Sequence, residues 1–352
     1  MADGGRQQVF LGVDIGGTKL SVNGIDADRR PVAAEWVEVP ARSHEGPDAT
    51  VGQIVVGLKT FLDRERIDAG RVGAVGLDSP GPADNNGRIE RSANMHPAWE
   101  GFQLRETAQR EIGKAFGRDV RVSYENDANA AALWEAHVGD PDGAGVMALL
   151  APGTGLGGGI VINGRLVRGA RGMGGELGHI EIVHHPFTPG FEPQCGCGQR
   201  YCAEAYVSMA ALMKIVPLAL QQAQYTDHPL RQVTGATDDE TRRKRAYQVR
   251  GLAAKGDPLC QAIFDWQSEA LGKLCRQVAD TIDPTRIVIG GGFIEGGRQL
   301  TDRIMRITQE TFRRHAFKKH AAEVRFEVAR AGDQAGCLGA ALSAWQAVHQ
   351  GA

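Results

Sequence analysis

Two stretches decide how this chain folds: VFLGVDIGGTKLSVNG, residues 9–24, and VMALLAPGTGLGGGIVING, residues 146–164. In the first, the apolar run Val9 to Val13 reads as a buried strand that ends at Asp14 and enters the tight turn Ile15-Gly16-Gly17-Thr18-Lys19. A second strand, Leu20 to Val22, stops at Asn23-Gly24, a dipeptide that predicts a hairpin turn. The second stretch repeats this order. Val146 to Leu150 is apolar, Gly153-Thr154-Gly155-Leu156-Gly157-Gly158-Gly159 follows, and Ile160 to Ile162 runs into Asn163-Gly164. Two such units predict a duplicated α/β architecture of two lobes, with a ligand held by both turns lying in a cleft between them.

The rest of the sequence fits that plan. Asp48 to Arg64 and Leu104 to Phe116 have helical spacing, while Val72 to Leu77 and Val120 to Tyr124 read as strands. Ala203 to Gln224 is expected to be one helix, and the polar stretch Asp227 to Arg245 a surface loop. Asp257-Pro258 reads as an N-cap and first turn, opening a long buried helix over Leu259 to Ile282. Arg286 to Ile289 is a strand running into Gly290-Gly291-Gly292, and a final helix begins near Gln334.

At 352 residues, with 42% hydrophobic and 23% charged residues, the chain has enough apolar material for two cores. The formal net charge is −2, without a long basic run, so nucleic acid is not an expected partner. Met1 to Gln8 has no apolar signal core and no stretch is expected to span a membrane; a cytoplasmic protein follows. Three of six cysteines fall within Cys195 to Cys202, a crowding that suits a metal better than disulfides in a reducing compartment.

Glycine turns bring backbone N–H groups near an anion, so Gly16, Gly17, Thr18 and Lys19, and separately Gly153, Thr154 and Gly155, are candidate phosphate cradles. Neither has P-loop or dinucleotide-fold spacing. Either alone would read as an ordinary hairpin; two copies, with a third glycine run at Gly290, favour phosphate. Asp14, at a strand end, is placed to hold Mg²⁺ or to form an Asx-turn. Glu125-Asn126-Asp127 closes another strand, which makes Asp127 a candidate general base or a helix N-cap. Glu176 and His179 are candidate hydroxyl partners. Cys195, Cys197 and Cys202 with His179 compose a Cys₃His set suited to a closed structural zinc, with His184 and His185 as substitute ligands.

Taken together and in order, Asp14-Ile-Gly-Gly-Thr-Lys19, Pro80-Gly81-Pro82, Asn94 with Trp99, Glu125-Asn126-Asp127, Gly153 to Gly159, Glu176-x-Gly-His179, Cys195 to Glu204 and Gly290 to Gly292 resemble the ROK family. That family includes bacterial sugar kinases, epimerase-linked kinases and sugar-responsive repressors, and the likeness runs from Asp14 to about Ala341. It implies an actin-like ATPase (duplicated ribonuclease H-like) fold. A small N-terminal lobe would cover residues 1–127, completed by the helix 338–352, and a larger lobe, residues 128–337, would carry the zinc loop and usually dimer contacts.

The same resemblance implies that Asn94, Asn126, Asp127, Glu176, His179 and Glu204 bind a sugar, with Asp127 as base, and that Gly16, Thr18, Thr154 and Gly291 face ATP. The implied enzyme is a Mg²⁺- and ATP-dependent hexokinase, a homodimer, acting on glucose first among hexoses. Fructose, mannose, N-acetylmannosamine and N-acetylglucosamine are alternatives, polyphosphate is a lesser phosphate donor, and a non-catalytic sugar sensor is a further reading. With thirteen residues before Asp14, a helix-turn-helix repressor is not expected.

Three positions depart from the family pattern: Asp78 stands where a small residue is usual, Tyr201 replaces a glycine, and Ala203 replaces a larger aliphatic residue.

Overall fold

The computed structural model describes residues 8–81, 83–90 and 96–350. It contains two five-stranded sheets. In the first, β1 (Val9–Ile15), β2 (Lys19–Asp26), β3 (Val37–Pro40), β4 (Val72–Ser79) and β5 (Arg121–Asn126) lie in the order β3-β2-β1-β4-β5. In the second, β6 (Val146–Pro152), β7 (Leu156–Ile162), β8 (Arg165–Leu166), β9 (Arg286–Ile289) and β10 (Arg325–Val328) lie in the order β8-β7-β6-β9-β10. Adding five to each label of the first order produces the second. The repeat legible in the glycine turns is therefore a repeat of whole sheets. In both, the outer pair is antiparallel (β2 with β3, β7 with β8), and the strands after the crossover are parallel (β1 with β4 and β5 beyond it, β6 with β9 and β10 beyond it).

The chain packs as two compact units: residues 1–144 with 159–175 and 330–352, and residues 145–158 with 176–329. This differs from a boundary at residue 127, for a packing reason. Helix α3 (Asp127–Gly139) lies against α9 (Ala335–His349) so closely that a Cβ on Gly339 would stand 1.8 Å from the Ala130 carbonyl oxygen. α9 presses equally hard on the first sheet, where a Cβ on Gly76 would stand 1.8 Å from the Ala340 carbonyl. Glu135 of α3 also accepts the backbone N–H groups of Arg330 and Ala331, at 2.9 and 2.8 Å, fixing the entry to α9. The other face of the first sheet is covered by α1 (Pro47–Glu65) and α2 (Leu104–Phe116), which bury Ile54, Leu58, Phe61 and Ile112 against Leu11, Val13 and Val75.

The second unit carries α4 (Met209–Leu220), α5 (Asp238–Ala254), α6 (Pro258–Ile282), α7 (Arg298–His315) and α8 (Lys318–Glu323). Asp257 caps α6 as the sequence predicts, its carboxylate accepting the Cys260 N–H at 2.9 Å.

Four local expectations fail. Asn23-Gly24 is not a turn: β2 runs through it, because buried Asn23 donates to the Ala33 carbonyl and Gln334 Oε1 while Gly24 lies where a Cβ would meet Leu11 and Phe10. Asn163-Gly164 does turn, with φ of 50° and 74° between β7 and β8. Ala203–Gln224 is not one helix; a short 3₁₀ turn at Ala203–Ala205 precedes Ser208, which caps α4. Asp227–Arg245 is not all loop, since Thr237 caps α5 inside it. Finally, Ala203–Leu220 is long and apolar enough for a membrane span by composition, contrary to the sequence reading, but it is interrupted before Met209 and 61% of it is buried.

Candidate functional site

In the first unit, parallel register sets three carboxylates in a row across adjacent strand ends, Asp14 opposite Asp78 and Asp78 opposite Glu125. Strand ends in α/β sheets are where sites gather, because the loops that follow leave the sheet there. The three acids are not equivalent. Glu125 is buried but satisfied, bound by the Arg168 guanidinium at 3.0 and 3.1 Å and by the Ser343 hydroxyl at 2.7 Å. Asp78 is fully buried, and apart from the Asp14 carboxyl, with which it shares a hydrogen bond, no described residue donates to its oxygens. Burial, and then the Asp14 carboxyl beside it, pushes the Asp78 carboxyl well above the usual range. Asp14 is raised for the same first reason, burial, with Asp78 and Lys19 opposing it.

One residue past Glu125 the chain enters α3. Asn126 is the N-cap, its side-chain oxygen accepting the Ala128 N–H at 2.9 Å, and its amide reaches the Gly81 carbonyl at 3.4 Å. Asp127 is thus the first helical residue and not the cap. Its carboxylate is exposed at the positive end of the helix, where the dipole favours the anion, and takes the Ala128 N–H at 2.7 Å.

The turn Gly16–Lys19 closes with the Gly16 N–H on the Lys19 carbonyl at 3.0 Å and presents Gly17 and Thr18 to solvent. The Lys19 ammonium is engaged by Glu38. Trp99 is wholly buried and donates to the Ser43 carbonyl at 3.0 Å, while the Ser43 hydroxyl bonds the Gly16 carbonyl at 3.3 Å; the aromatic ring thereby supports the turn. Asn94 and Pro82 lie outside the described residues.

In the second unit, the turn after β6 closes with the Gly153 N–H on the Gly155 carbonyl at 2.8 Å. The first N–H groups of α4, from Met209 and Ala210, are taken by the Gly153 and Thr154 carbonyls. After β9, Gly290 is tied to the Leu150 carbonyl, and Gly291, with φ of 68°, packs where a Cβ would stand 2.5 Å from the Pro152 carbonyl.

Pro152 to Thr154 of the first turn, and Gly292 and Phe293 just past Gly291, wall a cavity of about 350 Å³, within the range of small-ligand sites. Its other walls include Phe264 stacked on Phe293, Tyr247, Arg250 bonded to Glu295, and Gln267. Buried Gln267 donates to the Tyr206 carbonyl, whereas its Oε1 meets no donor among the described residues. Arg168, Arg250, Tyr247, Phe264 and Gln267 are all missed by sequence reading. Each lies far in sequence from the motif it joins.

The cysteine loop meets His179 in the same unit. The donor atoms of His179, Cys195, Cys197 and Cys202 lie within 4.8 Å of one another. Cys197 and Cys202 sulfurs are 3.7 Å apart and Cys195 Sγ is 3.6 Å from His179 Nδ1, with all cysteines free of disulfides. A tetrahedral zinc with ordinary bond lengths separates its sulfurs by about 3.8 Å and sulfur from nitrogen by about 3.6 Å, so the donor set fits that ion. His184 and His185 do not join it: they cluster with Glu269 instead.

His179 keeps Nε2 free of that cluster, 3.9 Å from the Glu176 carboxylate, which burial raises and His179 opposes. Glu204 lies between the cysteines and the turn, accepting the Leu156 N–H at 2.9 Å and filling the space a Cβ on Gly155 would need. Tyr201 adopts φ of 66°, the left-handed region that favours the glycine it replaces.

The ROK family model matches residues 10–347. The chain is 29% identical over 332 residues to a glucokinase of Halalkalibacterium halodurans, covering 94% of this chain and 93% of that protein. It is 30% identical over 341 residues to an N-acetyl-D-glucosamine kinase of Citrobacter koseri, covering 95% and 98%. A ROK family glucokinase from Streptomyces griseus, solved with glucose and AMPPNP, superposes with a TM-score of 0.72 at 27% identity over 96% of this chain and 99% of that one. The α/β architecture with its repeated sheet and glycine turns, together with a match over nearly the whole length, makes this chain a member of the ROK family, with that family's actin-like ATPase fold.

Proposed function

We propose that this chain transfers the γ-phosphoryl group of ATP to the C6 hydroxyl of a hexose, glucose first, with Asp127 as general base. The observation that carries the reading is that Asn126 takes over capping of α3, which leaves the Asp127 carboxylate exposed at the helix's positive end. Asp127 accepts the hydroxyl proton as the new O–P bond forms and the bond to the bridging oxygen of ADP breaks. Asn94, Asn126, Glu176, His179 and Glu204 bind and orient the sugar. Gly16, Gly17, Thr18 and Lys19 in one unit, and Gly153, Thr154, Gly155 and Gly291 in the other, serve the nucleotide and its phosphates.

Asp14 would hold Mg²⁺, which when bound neutralises phosphate charge. His179, Cys195, Cys197 and Cys202 would hold a structural Zn²⁺ that fixes the loop carrying Glu204. The glucokinase relatives support glucose, and a cytoplasmic homodimer belongs to the same proposal on the strength of the family resemblance. N-acetylglucosamine is the second reading, supported by the kinase of that sugar at 30% identity.

A coupled ADP-release assay across hexoses and acetamido-hexoses tests the proposal. Glucose turnover is expected, with kcat falling at least roughly 10²-fold in Asp127→Asn. Near-normal turnover in that variant removes Asp127 from the chemistry, and silence on every sugar removes the kinase reading.

A further inference from the structure

Of the three strand-end acids in the first unit, Asp78 has neither a role in the proposed reaction nor a basic partner. It stands on β4 directly opposite Asp14 on β1. It is wholly buried, its carboxyl is hydrogen-bonded to that of Asp14, and neither oxygen meets a donor from any other described residue. Its other neighbour in the row, Glu125, is already bonded to Arg168 and Ser343. The Lys19 ammonium at the adjoining turn is engaged by Glu38. The first turn of α9 approaches the Asp14 carboxylate, where a Cβ on Gly336 would stand 2.9 Å from Asp14 Oδ2.

Two adjacent acids with no cationic side chain bonded to either must share a proton or take up a cation in its place. A hard divalent cation that takes one or two carboxylates and completes its shell with water suits such a pair.

We propose that Asp78 is a second carboxylate at the divalent-cation site, beside Asp14, so that the chain binds one Mg²⁺-type ion before any nucleotide arrives. The inference rests on the kinase reading for what the ion does, not for whether it binds. A single strand-end carboxylate would leave the ion to arrive with ATP. Two make a site that is loaded on the free protein.

The test is a Mn²⁺ titration of the nucleotide-free, zinc-replete protein, followed by the electron paramagnetic resonance signal of free Mn²⁺. Wild type, Asp78→Asn and Asp78→Ser are compared, with circular dichroism to confirm folding and ADP release measured in parallel. One equivalent bound in wild type, weakened at least roughly tenfold in both variants, is expected, since affinity at such sites follows ligand charge. Wild type that takes up no Mn²⁺ at millimolar concentrations overturns the proposal, and that arm needs no variant to fold. So does Mn²⁺ binding that both variants retain unchanged, which would locate the ion elsewhere. Sugar turnover without binding to the free protein would leave the kinase reading standing and sink this one; binding that follows Asp78 without turnover would do the reverse.

Discussion

The Cys195 thiol donates to Glu204 Oε1 at 3.2 Å, so a residue of the metal-fitting cluster and a proposed sugar ligand are in direct contact. The other oxygen of Glu204 holds the Leu156 N–H at the start of β7. Binding of the proposed zinc would turn that thiol into a thiolate and end its hydrogen bond to Glu204, so gain or loss of the metal should be felt at the phosphate turn as well as in the loop. Stripping the metal with a chelator, or Cys202→Ser, is expected to lower the melting temperature and raise the hexose KM together, with close to one equivalent of zinc lost by elemental analysis. Unchanged melting after quantitative metal removal would refute a structural role.

Tyr201 adopts φ of 66° while its N–H and carbonyl are both bonded, to Pro193 and Ile182, so it has no freedom to relax. Tyr201→Gly is expected to stabilise the protein by about 0.5–1 kcal/mol, the gain from removing a side chain at a left-handed position less the entropy glycine adds to the unfolded chain. Urea unfolding measures it. A loss of stability would mean that the half-exposed ring contributes more than its backbone costs.

Arg168 neutralises Glu125, whose side chain is 3% exposed against 31% for the arginine. Arg168→Ala should destabilise by roughly 2–4 kcal/mol, because a buried carboxylate is left with the Ser343 hydroxyl alone. Adding Glu125→Gln should recover part of that loss. Equal stability of the single and double variants would show that the pair's charge is not what matters.

His184 is buried, with Nε2 on the Trp266 carbonyl, and burial, with Lys273 and His185 adding to it, lowers its pKa to about 3 from 6.5. The unfolded chain takes up a proton below its higher value and the folded chain does not. Stability is thus fully present above pH 6.5 and is lost as pH falls towards about 3. The slope from this one group is at most about 1.4 kcal/mol per pH unit. Urea unfolding at pH 7.5, 6 and 5 should show a shallower decline in His184→Gln than in wild type; parallel declines would assign the acid sensitivity to other groups.

Much of the fold was legible because it is written locally. The glycine turns, the Asp257-Pro258 helix start and the Asn163-Gly164 turn each need only their own neighbours. Asn23-Gly24 misleads because its partners, Ala33 and Gln334, are ten and 311 residues away, and nothing local signals that Asn23 will be buried. α5 carries a start signal, Thr237-x-x-Glu240, with the Glu240 N–H on the threonine hydroxyl. It reads as loop because its surface is polar nearly all round, steadied by the Asp239–Arg243 and Glu240–Lys244 pairs.

Within the candidate site, the Cys₃His donor set was readable from spacing and matches the distances between its sulfurs and nitrogen. The cavity walls formed by Arg250, Phe264 and Gln267 were not, since their helices approach the glycine turns only in three dimensions. Asp78 could be noticed only as an unusual residue type. Its burial and its register with Asp14 come from strand pairing across more than sixty residues.

The close seating of α9 on the first sheet has a consequence for synthesis. The face of β1 and β4 that receives Cys337 and Ala340 stays bare while the ribosome makes the nearly two hundred residues separating position 144 from α9. At ordinary elongation rates that wait is on the order of ten seconds or more, during which a chaperone or the nascent chain itself must shield the first-made strands.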